Sequence, residues 1–64
     1  MKRYRNRQYS NEIIEAEKLV KPIKLTTVTD GIISGRKGFY LVKENYNYRI
    51  ERPEVFESEY EELR

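Results

Sequence analysis

The 64-residue sequence contains no cysteine and no histidine. Chains of this size often rely on disulfides or a bound metal, so a core here must rest on packing alone, with or without a partner subunit. The same absence narrows the chemistry. Without histidine or cysteine there is no imidazole base, no thiolate nucleophile and no typical zinc site. The three serines, Ser10, Ser34 and Ser58, stand outside any nucleophile elbow or Ser-x-x-Lys context. Long apolar runs are missing as well: nothing approaches the roughly 18 residues of a membrane span, and Met1 to Asn11 has no apolar signal core. A chain this short buries only about 60% of its unfolded surface and does not wall off a deep substrate pocket. These absences predict a single-domain cytoplasmic binding protein that is not an enzyme, with no cofactor, no metal and no membrane partner.

Charged residues and the apolar set each make up 38% of the chain. That balance would point to disorder if the apolar residues were scattered. They fall instead into short runs rich in Val, Ile, Leu, Tyr and Phe, and six tyrosines with two phenylalanines supply large buried area per residue. The net charge of +2 hides an asymmetry. Residues 1–24 carry seven Lys/Arg against three Glu, and residues 50–64 carry two Arg against six Glu. The two ends either attract each other or present a basic arm to an acidic partner.

Residues 1–10 are basic and polar and read as a flexible arm without secondary structure, followed by one small β-rich domain over residues 11–64. Asn11 to Val20 is ambiguous. Ser10 or Asn11 as cap, Glu12 and Glu15 early, Lys18 and Lys21 late and Pro22 as stop favour a helix, whereas strand alternation is poor. From Ile23 the signals are β. Ile23 to Thr29 is β-branched and ends at Asp30-Gly31, a turn dipeptide, with Ile32-Ile33 as a return strand. The loop Gly35-Arg36-Lys37-Gly38 follows. Phe39 to Glu44 and Asn47 to Arg52 then form two runs separated by Asn45-Tyr46, the spacing of a hairpin. Pro53 ends the second run, and Val55, Phe56, Tyr60 and Leu63 recur at helical spacing. The fold class is mainly β: four or five short antiparallel strands curling into a small barrel-like sheet, with Ile23 to Arg52 in one sheet and a short C-terminal helical cover. Leu25, Leu41, Ile50, Phe56 and Tyr60 are the expected core, and Tyr40 and Tyr48 are expected to be at least half-buried.

Asp30-Gly31, Gly38-Phe39-Tyr40-Leu41-Val42-Lys43, Tyr48 and Pro53-Glu54-Val55-Phe56-Glu57 with Tyr60-Glu61 together resemble a family of short phage and prophage proteins. Ile13-Ile14-Glu15-Ala16 resembles that family's opening strand, so the match spans about residues 13–61. The sequence departs from the family pattern at Phe39, which stands where Asp is usual, and at Arg49, where Pro is common. The segment between the first two strands is also shorter. The resemblance implies that Ile13 to Val20 is a strand turning through Lys21-Pro22 into Ile23. It also implies a small accessory protein of the host-cell cytoplasm that binds and modulates, by inhibition, a host protein.

The residues themselves leave three kinds of partner open. Lys2, Arg3, Arg5 and Arg7 interleave with Tyr4 and Tyr9, and Arg36, Lys37, Phe39, Tyr40 and Arg49 add cations and rings, the mixture with which small β-barrels hold single-stranded nucleic acid. Against that, six glutamates lie after Ile50 and would repel phosphate. Exposed strand edges and aromatic patches ringed by charge suit a host protein, and strand pairing between copies would give a structural homo-oligomer. Gly35-Arg36-Lys37-Gly38 lacks the order of a phosphate loop and reads as a basic hairpin tip. The candidate binding residues are Lys2, Arg3, Arg5, Arg7, Arg36, Lys37, Phe39, Tyr46 and Arg49.

Overall fold

The computed structural model describes all 64 residues. Strand accounts for 53% of them, arranged as a five-stranded and a two-stranded antiparallel sheet with one short helix. The elements are β1 (Lys2–Asn6), β2 (Ile13–Lys18), β3 (Ile23–Thr27), β4 (Gly31–Gly35), β5 (Tyr40–Glu44), β6 (Asn47–Glu51), α1 (Pro53–Glu59) and β7 (Tyr60–Glu62). The larger sheet has the order β6-β5-β2-β1-β7, and β3-β4 is a separate hairpin. The larger sheet is open, with β6 and β7 at opposite edges.

The N-terminal segment is therefore not an arm without secondary structure. β1 lies between β2 and β7, with Tyr4 opposite Ile14 on one side and Glu62 on the other. Tyr4 is only 7% exposed and is the one apolar side chain this strand buries. One large ring on the covered face, with Arg3 and Arg5 on the other, suffices because neighbouring strands satisfy the backbone donors and acceptors. Residues 13–18 form a strand despite their favourable helix caps, since β2 pairs on both edges, with β1 and β5. Tertiary pairing overrides local propensity here.

Two further expectations need correction. Lys21-Pro22 does not close a hairpin, because β3 pairs with β4 alone. Ile23 to Arg52 is not one sheet either: β5-β6 joins the larger sheet while β3-β4 stands apart. The Asn45-Tyr46 turn is as expected, with Glu44 opposite Asn47 and Asn45 at φ 52°, the conformation that Asn tolerates better than most residues. Thr27 opposes Gly31, so Val28-Thr29-Asp30 is the loop and Gly31, at φ 67°, absorbs its reversal. Thr27 Oγ1 accepts from the Asp30 N–H at 3.0 Å and donates to the Gly31 carbonyl at 2.9 Å.

Cross-strand partners share a face, which places Tyr4, Ala16, Tyr40, Val42 and Tyr60 together under α1. Phe56 descends from the helix into this face and is 1% exposed. Its ring stacks on Tyr40 at 4.1 Å and on Tyr60 at 5.0 Å, and meets Tyr4 edge-on at 5.0 Å. A seven-residue helix is too short to persist alone. It is started by Pro53, which needs no amide partner at the first position, with Glu54 at the positive end of the helix dipole, and anchored by Phe56. The helical spacing does not extend to Tyr60: the helix stops at Glu59 and Tyr60 begins β7.

The opposite face is covered only in part. The β3-β4 hairpin packs beside β6, with Ile23, Leu25, Ile33 and Gly35 sharing its inner face by register. Gly35 is buried, and a Cβ there would stand 2.7 Å from Leu19 Cδ1 and 3.0 Å from Ile50 Cδ1. Its lack of a side chain lets the hairpin approach this closely. Leu25, Leu41 and Ile50 are consequently half-buried along this thinner layer and do not lie in the aromatic core with Phe56 and Tyr60. Tyr40 and Tyr48 are more than half-buried, as expected. No helix is long and apolar enough to cross a membrane.

Candidate binding surfaces

The connection from β4 to β5 builds the most distinctive surface. Leu19 follows β2 and pins this connection by two bonds: its N–H donates to the Phe39 carbonyl and its carbonyl accepts from the Gly38 N–H, both at 2.8 Å. Gly38 at φ 91° permits that approach, and the Phe39 N–H donates back to the Arg36 carbonyl at 3.0 Å. The tight loop so formed holds Phe39 half-buried against the start of β3. The result is a groove of about 460 Å³ lined by Pro22, Ile23, Lys24, Ser34, Gly35, Arg36 and Phe39. Its apolar lining side chains are Pro22, Ile23 and Phe39, and its only charged lining residues are cations. Neither Lys24 nor Arg36 takes part in an ion pair, nor does the adjacent Lys37. Beside it, the outer edge of β3 makes no backbone hydrogen bond.

Of the candidates, Arg36 and Phe39 line this groove, and Lys37 follows Arg36 in the loop without lining it. Tyr46 does not line it either: it is 96% exposed in the β5-β6 turn, at the other end of β5 from Phe39. Arg49 is held within the fold, paired with Glu44 and, at 3.1 Å, with Glu51. Lys2 pairs with Glu62 and Arg7 with Glu61, each at 3.6 Å, and Arg7 Nε donates to the Glu57 carbonyl at 3.1 Å. Much of the basic segment is thus matched to the acidic C-terminal segment by the β1-β7 pairing. Arg3 and Arg5 are left without such partners. Sequence reasoning missed Pro22, Ile23 and Lys24, whose signal was hidden because Lys21-Pro22 read as a hairpin turn instead of one wall of a groove.

The largest concavity, about 600 Å³, is lined by Arg3, Glu12, Ile13, Ile14, Glu15, Lys43, Glu44 and Asn45. Its lining mixes three carboxylates with two cations, so charge of one sign does not mark it, and the smaller groove, whose charged residues are all cations, is the better-defined site. The perturbed groups lie elsewhere, around the aromatic core. Burial raises the Tyr40 hydroxyl pKa well above its ordinary value, and the hydrogen bond it donates to Glu57 Oε2 at 2.7 Å raises it further. The same bond holds the Glu57 carboxyl below the usual range. Tyr60 is likewise raised by burial and by its bond to Glu12 Oε1 at 2.7 Å. These pairs secure β5 and β7 to the helix and to the β1-β2 turn, and all sit away from the groove. No family model, curated protein or solved structure matches the chain.

Proposed function

We propose that this protein is a small protein-binding module that takes an extended acidic segment of a partner protein along the free edge of β3 and into the adjoining groove. The observation that carries this reading is a groove lined by Pro22, Ile23 and Phe39 together with the unpaired cations Lys24 and Arg36, next to a strand edge with unused backbone donors and acceptors. An added strand would satisfy that edge, while acidic side chains of the segment meet Lys24 and Arg36. The resemblance to short phage and prophage proteins makes a host protein the natural target and inhibition by covering its surface the natural consequence. Nucleic acid suits the groove less well, because one half-buried ring offers a poor platform for successive bases.

The test pairs capture with a defined probe. The tagged protein is incubated with host lysate with and without nuclease, and separately titrated against arrayed acidic peptides. The expected result is a protein partner that survives nuclease, together with peptide binding abolished by reversing Arg36 and Lys37 to Glu. The melting temperature should barely move, since surface substitutions usually stay within about 0.5 kcal/mol. Loss of all captured material on nuclease treatment would favour the nucleic-acid reading. Peptide binding unchanged by the double reversal would place the interface elsewhere.

A further inference from the structure

A second cationic surface lies on the other flank of the sheet. Arg3 and Arg5 are two residues apart on β1, so their side chains leave the same face. The chain beyond β7 runs alongside, with the Leu63 N–H donating to the Arg3 carbonyl at 2.9 Å. Together Met1, Lys2, Arg3, Arg5, Leu63 and Arg64 line a cleft of about 460 Å³ that contains no carboxylate side chain. Register places Glu15 opposite Arg3 and Glu61 opposite Arg5. Neither forms an ion pair with its neighbour: Glu61 pairs with Arg7, and Glu15, which lines the larger concavity together with Arg3, forms none. The side chains of Arg3, Arg5 and Arg64 have no hydrogen bond or ion pair within the fold. The Arg5 Nε is shielded from solvent with no acceptor. A buried donor on a charged group is costly to leave unmatched, whereas Arg49, the one arginine on another strand, is paired with Glu44 and Glu51.

We infer that this cleft is a second binding site, for an oxyanion of the phosphate class. The chemistry follows from the donors. Each guanidinium presents a planar fork that matches two oxygens of a tetrahedral anion, and two forks spaced about 7 Å along one strand face can be bridged by one phosphoryl group or by two linked ones. A single carboxylate satisfies one fork and leaves the other bare. This inference is independent of the groove at β3, which shares no residue with the cleft.

The test is a heteronuclear NMR titration of the whole chain with inorganic phosphate, with pyrophosphate and with a short single-stranded oligonucleotide, each against sodium chloride at equal ionic strength. Saturable shifts are expected at the Arg3 and Arg5 Nε–H and the Leu63 amide, with pyrophosphate tighter than phosphate. Arg5→Gln and Arg3→Gln should each weaken pyrophosphate at least tenfold, and Arg36→Gln should leave it unchanged. Arg5→Lys keeps the charge but loses the fork, so several-fold weakening is expected and guards against a Gln variant that fails to fold. An oligonucleotide that binds tighter than pyrophosphate assigns the phosphate to a polymer, and one that binds no tighter assigns it to a free ligand. Shifts reproduced by chloride, failing to saturate, or persisting in both Gln variants would overturn the site. Acidic-peptide binding should survive Arg3→Gln and Arg5→Gln, which separates failure here from failure of the β3 groove.

Discussion

Phe56 touches three tyrosines from three different strands, and no other side chain joins the helix to the sheet so completely. Removing a buried Phe to Ala costs about 3–5 kcal/mol, and a single core in a domain of this size rarely supplies more than about 3–5 kcal/mol in all. Phe56→Ala should therefore leave the chain largely unfolded by circular dichroism at room temperature. A melt resembling the parent's would show that the stacked rings contribute little. The importance of Phe56, Tyr40 and Tyr60 is legible in the sequence, because large rings are the only way a chain this polar can bury enough area. The half-buried state of Leu25, Leu41 and Ile50 is not, because it depends on which sheet face the β3-β4 hairpin covers. Phe39 shows the same boundary: its proximity to Arg36 and Lys37 is written in the chain, and its seat beside Pro22 and Ile23 is set by the two bonds to Leu19.

At the scale of elements, β1 carries the largest difference between expectation and structure. A five-residue strand with a single apolar side chain shows no hydrophobic periodicity, so pattern reading finds nothing to pair. Its stability comes from position, with one neighbour on each edge and Tyr4 against Phe56 and Tyr40. Deleting residues 1–8 should consequently unfold the domain instead of trimming an appendage. Amide exchange on the intact chain offers a check that does not require the deletion to be soluble: Tyr4 and Arg5 should be protected to the same degree as β2 and β5. Exchange at the rate of unstructured chain would restore the flexible arm. The β3-β4 and β5-β6 hairpins are the elements that local sequence does specify, since Gly31 and Asn45 occupy the positive-φ positions their turns require. Their assembly into two sheets is a long-range outcome, decided by the pairing of β2 with β5 across an inserted hairpin.

For the whole molecule, the arrangement of charge and buried hydroxyls sets a pH window for folding. Tyr4, Tyr40 and Tyr60 all have pKa values raised above the ordinary 10.0, in each case chiefly by burial. Below pH 10 all three are protonated in both folded and unfolded chains and contribute no pH dependence. As pH rises past that value the unfolded chain releases protons the folded one retains, so stability falls. Each such proton steepens the decline by about 1.4 kcal/mol per pH unit, a steep slope for a domain of about 3–5 kcal/mol. Glu57 acts in the opposite sense: its lowered pKa gives stability that is present above the ordinary carboxylate range and is lost as pH falls below it. Tyr40→Phe tests both limbs at once. It removes one raised hydroxyl and the bond that lowers Glu57, so the alkaline decline should become shallower and the acid decline should lose the Glu57 contribution. The measurement is denaturant midpoint against pH for parent and variant, with tyrosinate absorbance followed in parallel. If tyrosinate absorbance in the parent rises fully before the fold is lost, the three hydroxyls ionise in place and the account of the aromatic core as a closed, proton-retaining unit is wrong.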